Sequence, residues 1–362
     1  MNSFTPLTRK QRINNCLLLN SSFVDNLGIM HGKMGIAIYF FHLFRNTANR
    51  LYEDFACELV DEIYSEICSD TPCTFEDGLS GIGWGIEYLA RRKFVDANTD
   101  EVLAEFDDRI IHEITYHANG DIGVLHGASG YISYFLSRFN SKRIVKSEQT
   151  DVLEKALKNS ITMLNSYVVK DTLESGSSYL MNEPNKFDLV WNFTSVLWVL
   201  IDLIKSKAFE TEAKQITKDI LFQIEEKNFH PKLSSHRLLL GLVFERLKKH
   251  CSELVSSKSL QNFKKELLEN IDRDSISSEI TFNSTFLRNG TTGISLIYCH
   301  LYRLNKNSIY EVESNYWKSF GDKLPESDQG FAGFFVAKEQ ENKAFGLLMG
   351  LAGINFYSYG KN

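Results

Sequence analysis

The sequence predicts an all-α protein, an α/α toroid of about seven inner and seven outer helices with GxxG turns, in one domain over residues 1–362. Three observations carry that expectation. One turn-plus-helix unit recurs, as "MHGKMGIAIYFFHLFR", "DGLSGIGWGIEYLARR", "LHGASGYISYFLSRF", "FLRNGTTGISLIYCHLYR" and "LMGLAGINFYSYG". The helix after each turn is apolar nearly all round, as expected of a helix buried on both sides. Amphipathic segments lie between the units, and no strong strand alternation competes.

Aligned on the second glycine, the clear units fall at Gly35, Gly81, Gly130, Gly293 and Gly353. The first three glycines are 46 and 49 residues apart and the last two are 60 apart. The 163 residues from Gly130 to Gly293 leave room for two more units. "FDLVWNFTSVLWVL" supplies one, with Val196 at the glycine position, and "SSHRLLLGLVFERL" supplies the other, with Gly241. Repeats at this period imply stacked units that share a core.

Each element has its own justification. "IAIYFFHLF" and "ISLIYCHLY" are inner helices. "NRLYEDFACELVDEIYSEI", 49–67, is an outer helix that places Leu51, Phe55, Leu59, Ile63 and Ile67 at four-residue steps, with acids on its other faces. "LVWNFTSVLWVLIDLI", 189–204, is the best membrane candidate, but it includes Asn192, Thr194, Ser195 and Asp202. A spanning helix needs about 20 mostly apolar residues, so this stretch reads as a buried core helix. The first glycine of each turn permits a positive φ or a close approach, and the second lets neighbouring segments pack tightly. "GKMGIAIYFF" near one end and "GLAGINFYSY" at the other are both inner-helix sequences. Neither carries the polar cap of an open solenoid, so the first and last units are expected to close a ring.

The net charge of −6, without a basic stripe, excludes a nucleic-acid partner. The cysteines Cys16, Cys57, Cys68, Cys73, Cys251 and Cys299 form no CxxC and read as free thiols in a reducing cytosol. The apolar run Cys16–Leu19 is too short for a signal peptide. A cytoplasmic protein without a membrane span is expected.

The motifs "HGKMG" at 31–35, "GLSGIGWGIEYL" at 78–89, "HGASG" at 126–130, "LRNGTTGISLIY" at 287–298 and "GFAGF…FGLLMGLAGI" at 330–354 resemble the lanthionine synthetase C-like family. The resemblance implies a seven-fold α/α barrel. Family cyclases join a peptide cysteine to a dehydrated Ser or Thr, with a zinc ion held by two cysteines and a histidine. Zinc makes the peptide thiol a thiolate at neutral pH. Where the family's sixth unit has Cys-His before the first glycine, this chain has Arg288-Asn289. The third ligand falls at His236, and a family histidine used for proton transfer falls at Asn192. The expectation is therefore no zinc, no other cofactor and no catalytic residue.

The remaining candidates are ligand-binding: His31, Asp77, His126, Asn192, His236, Arg288 and Asn289. His31 and His126 precede their turns; they are acid/base groups facing each other across the barrel, or turn caps. Glu76, Asp77 and Asp121 also precede turns, where a helix dipole favours acids. Arg288 can bind a carboxylate or phosphate bidentately, or pair with a nearby acid. Cys299 and His300 are helix neighbours about 100° apart and do not aim at one ion. Two functions follow. One is a non-cyclising member that binds a ribosomally made peptide or its modifying enzyme. The other is an enzyme with metal-free chemistry, either thioether closure or carboxylate-based glycan chemistry.

Overall fold

The computed structural model describes residues 7–117, 120–142, 148–173, 180–281, 284–322 and 345–354. Among them no strand occurs. The helices are α1 (Arg9–Asn20), α2 (Lys33–Thr47), α3 (Arg50–Glu66), α4 (Leu79–Arg91), α5 (Thr99–Val102), α6 (Ala104–Tyr116), α7 (Ala128–Lys142) and α8 (Glu148–Leu173). They continue with α9 (Asn192–Ser206), α10 (Glu210–Glu226), α11 (Ser234–His250), α12 (Lys258–Leu268), α13 (Arg273–Glu279), α14 (Thr291–Asn305) and α15 (Ser308–Asp322). Helices α2, α4, α7, α9, α11 and α14 pack side by side in that order as the inner wall. Outside them, α3, α6, α8, α10, α12 and α15 each lie on the inner helix of their own unit.

The outer helix α3 shows how far a four-residue step carries. Ala56, Leu59 and Ile63 are buried, while Leu51 is 56% exposed. Each four-residue step overshoots a full turn by about 40°. A row of such steps therefore leaves the buried face within three or four members. Helix α9 is buried as expected, with Phe193, Val196, Leu200 and Ile204 in the core. No helix among the described residues is long and apolar enough to cross a membrane. All six cysteines are free.

The glycines act by close approach. Gly32, Gly78 and Gly290 have φ of −117°, −126° and −135°, an extended backbone open to any residue. A positive φ is therefore not what these turns require. In each turn the chain folds back over its own helix. The first helical amides of Lys33, Leu79, Ala128 and Thr291 donate to the carbonyls of Asn26, Pro72, Asp121 and Ser284, at 2.8 to 3.1 Å. A Cβ on Gly32, Gly78, Gly127 or Gly290 would collide with that same carbonyl. A Cβ on Gly35, Gly81, Gly130 or Gly293 would collide with the next one, from Ile29, Phe75, Val124 or Leu287. GxxG is thus the footprint of a backbone strap lying across a helix N-terminus.

The straps also bond to one another. The amides of Met30, Glu76, Leu189, Arg288 and Leu348 donate to the carbonyls of Glu76, Leu125, Arg288, Leu348 and Met30, at 2.8 to 3.1 Å. Four of these five donors stand two residues before the first glycine of their turn, and so does Leu125. By the same register, Trp191 holds the first-glycine position of the fourth unit. Thr194, rather than Val196, then holds the second. The ring passes from the fourth turn directly to the sixth. The fifth unit has no strap, because α11 starts at Ser234, and Gly241 lies inside that helix against Leu268 of α12. Leu348 bonds both Met30 and Arg288, so the last turn sits between the first and the sixth and the toroid closes. The motif residues 330–344 lie outside the described residues.

Candidate functional site at the turn rim

The strap ring gathers polar side chains from different units at one end of the toroid. On one side stands Glu76, 6% exposed. Its Oε1 lies 2.8 Å from Nε2 of the fully buried His31, and its Oε2 lies 3.0 Å from Nε2 of His126. One carboxylate therefore holds two imidazoles from the turns on either side. The histidines do not face each other across the barrel; the Met30–Glu76 and Glu76–Leu125 backbone bonds make their turns neighbours. Asp77 follows Glu76 and lies against Gly28. The Asp121 carboxylate accepts the Gly123 amide at 2.6 Å and so closes its own strap. Asn192 opens α9, with its carboxamide against Gly123.

On the other side stands Asp188. It receives Nε and Nη2 of Arg288 at 3.1 and 2.9 Å. Burial works against the guanidinium charge, but the Asp188 carboxylate outweighs it and pushes the Arg288 pKa up. The backbone amide of Asp188 donates to Nε2 of His236 at 3.1 Å. That bond occupies the ring's lone pair and puts the proton on Nδ1, which lies 3.0 Å from Glu183. The fully buried His236 ring stacks on Trp191 at 4.8 Å. Burial of Glu183 pushes its pKa up; the bonds from His236 and from the Leu233 and Lys232 amides outweigh that and hold it low. Asn289 accepts a hydrogen bond from the Ser284 hydroxyl at 3.0 Å.

The seven predicted residues thus divide. His31 and His126 converge on Glu76, while Arg288 and His236 converge on Asp188; Asp77 lies against Gly28 of the first turn, Asn192 against Gly123 of the third, and Asn289 holds its own turn. Sequence reasoning missed Asp188 and Glu183. Asp188 lies just ahead of a unit that lacks both glycines, so no motif pointed to it. The available signal was the permanent charge of Arg288, which demands an acid nearby when half-buried.

The family described as "Lanthionine synthetase C-like protein" matches residues 24–190. That match takes in the first three turns, short of half of the chain's 362 residues. The chain's fold is that of a solved structure, "Nisin cyclase", with a TM-score of 0.65 and 15% sequence identity, covering 98% of this chain and 95% of that one. Comparison with curated proteins gives no match. The family match begins at Val24 and ends at Val190, so it takes in the Glu76 side of the rim and stops beside Asp188.

Two cavities adjoin this framework. A polar cleft of about 330 Å³ lies at the rim, lined by Cys73, Arg109, His112, Glu113, His126 and Tyr131 among others. A larger cavity of about 1060 Å³ fills the lumen, and none of the seven predicted residues lines it.

Proposed function

We propose that this chain is a non-cyclising lanthionine synthetase C-like protein. In this reading it binds a ribosomally made peptide, or the enzyme that modifies it, at the turn rim. It does so without zinc or another cofactor. The observation that carries the reading is Arg288, fixed by Asp188; Arg288 and Asn289 stand where the resemblance implies two metal ligands. A guanidinium has no lone pair for a metal. His236 has both ring nitrogens engaged, and Asn289 is held by Ser284. A catalytic zinc normally takes three protein ligands, which these residues do not offer. Among the described residues no three His, Cys, Asp or Glu side chains converge in a way that could hold a metal.

The test uses purified, untagged protein and, as probe, a synthetic peptide that carries cysteine and dehydrated Ser or Thr residues. Elemental analysis is expected to find far less than one zinc per chain. The peptide is expected to bind with its cysteine thiols still open to alkylation. One zinc per chain that disappears in His236→Ala, or thiol loss with turnover, overturns the reading.

A second reading, metal-free enzyme chemistry, is supported by the Glu76–His126 pair. His126 is half-exposed on the polar cleft and hydrogen-bonded to a buried carboxylate, an arrangement suited to proton transfer. Thiol loss in the same assay that His126→Gln abolishes would favour it.

A further inference from the structure

The lumen cavity takes no part in the turn-rim reading. Its floor is formed by Met30, Phe75, Val124 and Leu189, residues of the straps that the backbone ring ties together. Its wall is mostly apolar, with Trp84, Leu136, Trp198, Val199, Leu242 and Leu296. Its far end lies where the inner helices finish. There Arg91 and Arg92, at the end of α4, and Lys205, in the last turn of α9, join the lining.

All three of these cations are exposed. Among the described residues no carboxylate pairs with any of them. Asp202, the carboxylate on the lining, is held by Arg246, which also lies over the Trp198 ring at 3.8 Å. Basic residues suit a helix C-terminus, which accounts for each one alone. Three around one opening, in a chain of net charge −6, make a local positive mouth above an apolar tube.

Two polar groups interrupt the wall. The Ser137 hydroxyl is buried without a hydrogen-bond partner. His300 donates from Nδ1 to the Leu296 carbonyl at 3.0 Å and keeps Nε2 as an acceptor. A small-molecule pocket is typically about 300–1000 Å³, mostly apolar, with a few placed polar groups, and this cavity fits that description.

We propose that the lumen binds an apolar chain ending in a carboxylate. The apolar part lies between Trp84 and Trp198, and the carboxylate stays at the mouth with Arg91, Arg92 and Lys205. Two sources share this chemistry, a fatty carboxylate and a short apolar peptide with a free C-terminus. The proposal does not depend on peptide binding at the turn rim, and its failure leaves that reading standing.

The probes are dodecanoate, dodecylamine, and an acetylated apolar tetrapeptide as its free acid and as its amide. Binding is followed by calorimetry and by tryptophan fluorescence, since two of the chain's four tryptophans line the cavity. At least one carboxylate probe is expected to saturate, tenfold or more tighter than its amine or amide counterpart. Trp84→Phe with Trp198→Phe should abolish the fluorescence change while calorimetry still detects binding. Reversing the exposed charges with Arg91→Glu, Arg92→Glu and Lys205→Glu should weaken binding at least tenfold at an unchanged melting temperature. Lys205→Gln alone, in a salt titration, gives the same reading if the triple variant folds poorly. Dodecanoate binding alone identifies a lipid-like ligand, and peptide-acid binding alone identifies a peptide terminus; either supports the site. Absence of carboxylate binding at millimolar concentration, equal binding of acid and amide, or indifference to charge reversal overturns it.

Discussion

At the first three turns one carboxylate, Glu76, holds two imidazoles; across the rim another, Asp188, holds a guanidinium through its side chain and an imidazole through its amide. The plan is shared and the chemistry differs. Imidazole can give and take a proton, whereas guanidinium stays charged. The first region keeps every strap glycine; the second has Trp191 and Thr194 in one unit and no strap in the next. The family match covers the first three turns and ends at Val190. The sixth unit, which supplies Arg288, nonetheless has both glycines and its strap, so the fixed-charge chemistry does not require a missing strap, and the bonds between these turns run through the backbone.

The largest expected effect tests whether a glycine serves the strap or merely fills a helix. In Gly81→Ala the new Cβ meets the Phe75 carbonyl and the Ile29 side chain. A backbone carbonyl cannot swing aside, so a loss of about 3 kcal/mol is expected, at the upper end for overpacking. In Gly241→Ala the new Cβ meets the Leu268 side chain, at Cδ2 and Cγ, rather than backbone; that side chain can turn away, and alanine regains about 1 kcal/mol of helix propensity. The net change there should stay within about 1 kcal/mol. Urea titrations of both variants decide it; equal losses would mean that the fifth unit depends on its glycine as the strapped units do.

Next in size is the fixed-charge clamp. Arg288→Leu strips Asp188 of its charge partner and should cost about 2 kcal/mol, the scale for a partly buried charged group left unpaired. Adding Asp188→Asn to that variant should recover much of the loss. A double-mutant cycle with no coupling would show that the two side chains contribute independently, and the clamp would lose its place in the comparison.

Acid should separate a histidine of the inner wall from the Asp188 side of the rim by pH window. His42 in α2 has its pKa lowered from 6.5 to about 4, by burial first and then by Arg45 and Arg92. Between those values the unfolded chain binds a proton that the folded chain refuses, so stability falls as pH drops from about 6.5 to about 4. Glu183 has its pKa held below the ordinary 4.5, so its contribution is complete above that value and is lost as pH falls further. His42→Phe should flatten the upper part of the stability–pH curve, by about 1–2 kcal/mol overall. Glu183→Gln should flatten only the lower part. Measured melting curves from pH 7 to 3 would refute the assignment if the two variants changed the same window.

The repeat was legible because five units keep both glycines, and those glycines mark a backbone collision that leaves no alternative residue. Where the glycines are absent, so is the signal. Helix pattern alone puts Val196 at the glycine position, and the backbone register moves that position to Thr194. His31 and His126 were visible beside their glycines, but their meeting at Glu76 depends on which turns are neighbours in space. Asp188 sits 100 residues from Arg288 in sequence, and only the closed ring brings them together. Local chemistry could be read along the chain; pairing across units depended on ring order.

The smallest expected effect separates the two arms of the Glu76 bridge. The His126 side chain is 51% exposed and that of His31 is fully buried. The exposed His126 arm is screened by solvent, Glu76 keeps its His31 partner, and glutamine can still donate to it, so His126→Gln should cost about 0–1 kcal/mol and barely move the melting temperature. His31→Gln leaves the inner oxygen of Glu76 badly served and leaves a misfitting amide in a closed space, for a loss of about 1–3 kcal/mol. If the bridge is only structural, both variants should lose stability in proportion to burial and neither should alter ligand behaviour at the polar cleft. If His126 serves the rim as a binding or proton-transfer group, its variant should keep its stability and lose peptide binding or thiol chemistry. Thermal melts paired with peptide calorimetry on the two variants distinguish the cases. A His126→Gln protein as unstable as His31→Gln would mean that the exposed arm also holds the fold together, and the contrast between a proton-exchanging side and a fixed-charge side of the rim would have to be withdrawn.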